Sequence, residues 1–123
     1  MTVIVDTSVW VDHFRRTDEV LVNALAGEEV LVHPFVIGEL ACGNLHARAN
    51  VLDLLSRLPS APRATDEEVL AFIEKRSLNG RGIGLVDVHL LASTTLHGSA
   101  RLWTHDRPLA DVAERMRLLY RSG

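Results

Sequence analysis

Short apolar runs and segments of helical period alternate along this chain, the pattern of an α/β domain built on a parallel sheet. Val3-Ile4-Val5 opens it, a β-branched run that stops at Asp6, so residues 2 to 6 are predicted to form a buried first strand. Thr7 or Ser8 is placed to cap a short helix through Phe14, and a second helix is expected from Glu19 to Ala26, where Gly27 stops it. Val30 to Val32 read as a second, short strand. Pro34 suits the first turn of a helix running to Cys42 and ended by Gly43, and another helix is expected from Ala47 to Leu58. Pro59-Ser60-Ala61-Pro62 is a connector with a brief edge strand at its end, and Thr65-Asp66-Glu67-Glu68 is a capping-box start for a helix through Leu78. Asn79 to Gly84 is a glycine-rich loop that leads into an apolar helix from Val86 to His97, closed by Gly98. Residues 101 to 104 are predicted as a strand, Pro108 opens a helix through Arg115, and Met116 to Tyr120 read as a last strand. The sum is a central parallel sheet of about 4–5 strands flanked by helices on both faces, in one domain over residues 1–123.

Composition fits that architecture. The 123 residues suffice for one real core, the 47% hydrophobic and 24% charged fractions are ordinary for a soluble domain, and no apolar stretch approaches the roughly 20 residues of a membrane helix. With no basic, apolar leader before the first strand, a cytoplasmic protein is expected. The single cysteine, Cys42, excludes an internal disulfide and a multi-cysteine zinc site, and its apolar helix predicts a buried, inert thiol. The net charge of −3 hides its arrangement: twelve of the thirteen basic residues are arginine, which grips phosphate through a bidentate fork.

The acidic residues carry the chemistry. Asp6 would end its strand at the carboxyl edge, where open α/β sheets place their ligands. Three more acids lie among apolar residues or end an apolar run: Glu39 in Phe35-Val36-Ile37-Gly38-Glu39-Leu40-Ala41, Asp87 in Leu85-Val86-Asp87-Val88-His89-Leu90-Leu91, and Asp106 after Leu102-Trp103-Thr104-His105. Right-handed crossovers bring all four to one side of the sheet. Blander roles compete at three of them: a helix cap for Asp6, a carboxylate near a helix N-terminus for Asp87, and a turn before Arg107-Pro108 for Asp106. Glu39, expected beside Val36 and Leu40 on the inward helix face, has few. Four carboxylates drawn together repel one another and lose solvation, so the cluster makes sense around a divalent cation. Hard oxygen ligands favour Mg²⁺ or Mn²⁺ over zinc. The six histidines show no H-E-x-x-H spacing, and His89 and His105 read as packed or surface residues rather than ligands. A magnesium ion held by carboxylates orients water and stabilises charge on a phosphodiester, which points to phosphodiester hydrolysis.

Val5-Asp6-Thr7-Ser8, the helix-borne Glu39, Asp87 in Val-Asp-Val-His-Leu-Leu-Ala-Ser, and Thr104-x-Asp106 after a strand resemble, in order and spacing, the four landmarks of PIN domains in the VapC toxin branch. The resemblance implies a Mg²⁺-dependent endoribonuclease that cleaves structured RNA (transfer or ribosomal) and inhibits translation. It further implies a homodimer held inactive by a VapB-type antitoxin, with operator DNA reached only through that antitoxin. By position, Asp6, Glu39, Asp87 and Asp106 would be the metal-binding acids, with Ser8 or Thr104 supplying hydroxyl contacts. The chain departs from many relatives after the last aspartate: Arg107-Pro108 intervene and Asp111 comes late, so a second metal is not implied.

Other readings meet specific obstacles. A haloacid-dehalogenase-like phosphatase wants an acid where Ser8 stands, and a phosphoacceptor receiver domain wants an acidic pair and a late lysine. A non-catalytic PIN-like scaffold, or a housekeeping RNA-processing nuclease, stays open as an alternative. Arg81, in the glycine-rich loop, is placed to hold an RNA phosphate. Val9, Trp10, Val11 and Phe14, with Val20, Leu21 and Leu25, exceed what one sheet face can bury, so a groove including Trp10 and Phe14 is expected. By the same resemblance its ligand would be the antitoxin tail.

Overall fold

The computed structural model describes residues 1–121. Its centre is β1 (Val3–Val5), followed by α1 (Thr7–Arg15), α2 (Glu19–Ala26), β2 (Val30–Leu31), α3 (Pro34–Cys42), α4 (Arg48–Ser56), α5 (Asp66–Arg76), α6 (Leu85–His97), β3 (Arg101–Trp103) and α7 (Arg107–Arg115). The three strands are parallel in the order β2-β1-β3, with Val3 opposite Val30 on one side and Val5 opposite Trp103 on the other. Single parallel bridges, Val32 with Ser60 and Leu102 with Leu119, continue the sheet by one residue pair at each edge. The two expected outer strands are reduced to those bridges.

The last strand shrinks for a definable reason. Arg117, at φ 60°, takes the left-handed position that ends α7, with its N–H on the Glu114 carbonyl and the Leu118 N–H on that of Ala113. Two of the five residues expected in the strand are thus spent reversing the chain. Glu28 does the same after α2, at φ 56°, so Gly27 precedes the turn rather than making it. Gly98, at φ 87°, does close α6 as expected.

β1 is buried throughout, as a strand with neighbours on both sides and helices on both faces must be. α6 runs through the core, with every residue from Val88 to Thr94 buried, and Thr94 returns its hydroxyl to the Leu90 carbonyl at 2.7 Å. α3 buries Val36 and Leu40, one helical turn apart, while Cys42 at its end is exposed. The buried thiol expected there is corrected by helical phase. Among the described residues no helix is long and apolar enough to cross a membrane.

Candidate active site

Parallel pairing of β1 with β3 puts the two strand ends side by side, and the Asp6 N–H completes the register on the Trp103 carbonyl at 2.9 Å. Asp6 is therefore the N-cap residue of α1, yet its carboxylate accepts no backbone N–H of that helix. Its Oδ2 accepts instead from the hydroxyls of Ser8 and Thr104, each at 2.7 Å. Ser8 Oγ in turn accepts from the His105 N–H at 3.0 Å, and Thr104 Oγ1 from the Asp106 N–H at 3.0 Å. Two backbone donors of the loop after β3 are thus relayed through hydroxyls onto one carboxylate oxygen, which fixes a nearly buried Asp6.

Each of the other acids is anchored differently. Asp106 is the N-cap of α7, where Oδ2 accepts the Leu109 N–H at 3.0 Å, so the blander structural role is real for this residue. Asp87 occupies the first turn of α6 and accepts the Gly84 N–H at 3.0 Å. Glu39 is exposed at the cleft edge of α3 rather than turned inward, and its Oε1 accepts the Thr7 hydroxyl at 2.6 Å. The inward placement expected for Glu39 is corrected: Val36 and Leu40 hold the buried stripe, and the glutamate falls at its border.

The electrostatics report convergence. Burial pushes the Asp87 carboxyl above its ordinary range, the Gly84 N–H opposes this, and Asp6, Asp106 and Glu39 each push it further up. One acid feels the other three. Among the described residues, no group of three or more histidine, cysteine, aspartate or glutamate side chains is already arranged to hold a metal ion. The four acids share one end of the sheet, each resting on its own donors.

The sequence family follows from comparison with known proteins: the family model described as PIN domain matches residues 3–115. The chain belongs to the PIN domain family. Ribonuclease VapC32 of Mycobacterium tuberculosis, in strains CDC 1551 / Oshkosh and ATCC 25618 / H37Rv, is 50% identical over 107 residues, covering 87% of this chain and 86% of the relative. This places the chain in the VapC branch of the PIN family.

Around this PIN-domain cleft the remaining candidates sort by position. Ser8 and Thr104 meet at Asp6 as described. Arg81 stands exposed in the loop before α6, its Nε on the Ser77 carbonyl at 3.3 Å. His89 is buried against Phe35, and His105 is a surface residue paired with Asp12. Phe14 is 38% exposed whereas Trp10 is 3% exposed and belongs to the core; together they line a hollow of about 150 Å³ with His13, Leu25, Leu54 and Leu58. Thr7 on Glu39 and Asp12 on His105 escaped the sequence reading. The Asp-Thr-Ser motif gives no hint that Thr7 reaches Glu39, and the 93-residue separation of Asp12 and His105 leaves no trace in sequence.

Proposed function

We propose that this chain is a divalent-metal-dependent endoribonuclease, the toxin of a VapBC-type pair, which cleaves structured RNA and so inhibits translation. The observation that carries the reading is the gathering at one end of the sheet of Asp6 and Asp106, the N-cap residues of α1 and α7, with Glu39 of α3 and Asp87 of α6, whose carboxyl is pushed up by burial first and by the other three acids next. An all-oxygen set in mutual repulsion suits a hard cation, and Asp6, Glu39, Asp87 and Asp106 would hold Mg²⁺ or Mn²⁺. The ion, when bound, supplies charge neutralisation at the phosphodiester and an acidified water. The chain's own residues do the positioning: Ser8 and Thr104 orient Asp6, Thr7 orients Glu39, and the Gly84 N–H orients Asp87. Arg81, six residues before Asp87, is placed to take an RNA phosphate beside the acids.

The antitoxin belongs to the same reading. A second hollow, of about 570 Å³, runs from Val11 and Phe14 past Leu45 to Thr7 and Glu39, so an apolar segment lying over Phe14 would lead directly to the carboxylates. The named relatives are VapC ribonucleases, which supports a VapB-type partner and an RNA substrate. A homodimer is supported by exposed Leu96 at an apolar hollow between α5 and α6.

Incubating the purified protein with transfer and ribosomal RNA tests the function. Cleavage is expected with Mg²⁺ or Mn²⁺, none in excess EDTA, and none with Asp6→Asn under any condition. Undiminished cutting in EDTA would refute the metal mechanism.

A further inference from the structure

Beside the carboxylates lies a pocket of opposite sign. Arg81, Arg107 and Arg115 line a cavity of about 360 Å³ together with Pro108, Asp111 and Val112. Arg107, Asp111 and Arg115 are spaced four residues apart on α7 and so share one face, while Arg81 reaches the cavity from the glycine-rich loop. That loop passes close to the helix at Gly82, which takes a left-handed conformation at φ +77° and where a Cβ would stand 3.6 Å from Pro108 Cβ.

The charges are not neutralised within the protein. Among the described residues none of the three guanidiniums forms an ion pair, and Asp111 forms none with Arg107 or Arg115 on either side of it. All three arginines are exposed, and Arg81 commits only its Nε, leaving its terminal nitrogens open. Three cations around one carboxylate leave the pocket net positive. The backbone ties it to the acids: Arg107 directly follows Asp106, and the loop bearing Arg81 ends at Gly84, the donor to Asp87.

We propose that this three-arginine pocket is an RNA-backbone subsite, in which Arg107 and Arg115 with Arg81 grip a phosphodiester of the substrate flanking the cleaved one. The inference rests on the ribonuclease reading above and adds to it a place where the strand is held. Guanidinium forks match phosphate oxygens bidentately, and contacts of this kind fix the position of the strand without reading its bases. The acidic cleft repels RNA on its own, so an adjoining cationic pocket supplies attraction where the chemistry needs it.

The test is binding of a fluorescein-labelled RNA hairpin in EDTA, followed by anisotropy over a salt series, for the parent, Arg107→Ala, Arg115→Ala and the double variant. Each alanine should weaken binding about tenfold and lower the slope of log Kd against log salt by about one, with Arg115→Lys restoring the slope. Mn²⁺ affinity, followed by calorimetry, should stay at the parent value. If Arg107→Ala perturbs folding by circular dichroism, Arg115→Ala, at the far end of α7, carries the test alone. Salt slopes equal to the parent's in a protein that still cuts RNA would overturn the subsite and leave the nuclease standing. A parent that binds RNA with the expected slopes but never cuts it would do the reverse. Binding of inorganic phosphate that the variants lose, with RNA slopes unchanged, would show a free-anion site and overturn the RNA assignment.

Discussion

Thr104 and Asp6, 98 positions apart in sequence, are joined by a hydroxyl-to-carboxylate hydrogen bond of 2.7 Å. Thr104 Oγ1 also accepts the Asp106 N–H, so the orientation of Asp6 is set by the backbone that carries Asp106. Thr104→Val keeps the side-chain shape and removes the relay. Mn²⁺ affinity by calorimetry and the cleavage rate should both fall by about tenfold, as for outer partners of metal-binding groups, while Thr104→Ser should retain most of each. Parent-like values for the valine variant would show that Ser8 alone suffices.

Asp87 predicts a pH dependence of stability. Its carboxyl is held above the ordinary aspartate range, by burial first and by the three neighbouring acids next. A raised carboxyl favours the folded state while protonated, so this contribution is present at pH below about 4 and is lost as pH rises through the folded value. In EDTA, the Tm difference between parent and Asp87→Asn should therefore move against the parent from about pH 4 towards neutrality. Adding Mg²⁺ should raise the parent's Tm at neutral pH and the variant's by less.

His33 should give the opposite slope. It caps α3 through Nδ1, which accepts the Phe35 N–H at 3.0 Å, and burial, then His89 and Arg63, lower its pKa from 6.5 to about 4. The folded chain keeps this ring neutral where the unfolded chain protonates it. Stability is thus complete above about 6.5 and drains away as pH falls towards 4. His33→Asn preserves a capping acceptor and removes the titration, so its Tm should fall less than the parent's between pH 7 and about pH 4.5. Parallel curves for the two proteins would clear His33 of the acid sensitivity.

The pair Trp10 and Phe14 separates packing from partner contact. Trp10 is buried, with its ring stacked on Phe14 at a centroid distance of 5.9 Å, so Trp10→Ala should cost about 3 kcal/mol or more in urea unfolding. Phe14 is exposed, and Phe14→Ala should cost less than about 1 kcal/mol of stability while weakening a VapB-type partner by about 2 kcal/mol. Unchanged partner affinity in Phe14→Ala would move the docking groove elsewhere.

What the sequence disclosed was what is local. α2 and α3 appear within the expected bounds because Asp18 caps the one and Pro34 opens the other, and the capping box of Thr65 and Glu68 is present at α5. The four acids reach one sheet end because strand direction and crossover hand place them there. The departures come from features without a residue signature. Arg117 and Glu28 take left-handed turns usually given to glycine, and the phase of α3 decides that Cys42 and Glu39 face outwards. Asp6 sits at an N-cap, but its oxygen is claimed by hydroxyls, one of them nearly a hundred residues away.

The position of β1 between β2 and β3 has a consequence for synthesis. β1 obtains its second neighbour only when residues 101–103 exist, some hundred residues after it has been made. Until then the Asp6 N–H lacks the Trp103 carbonyl, its carboxylate lacks Thr104, and Asp106 has not been added. A growing chain thus carries three of its four acids without the third strand that completes their edge. The topology acts as a timer, withholding the complete acidic site until synthesis has passed Asp106.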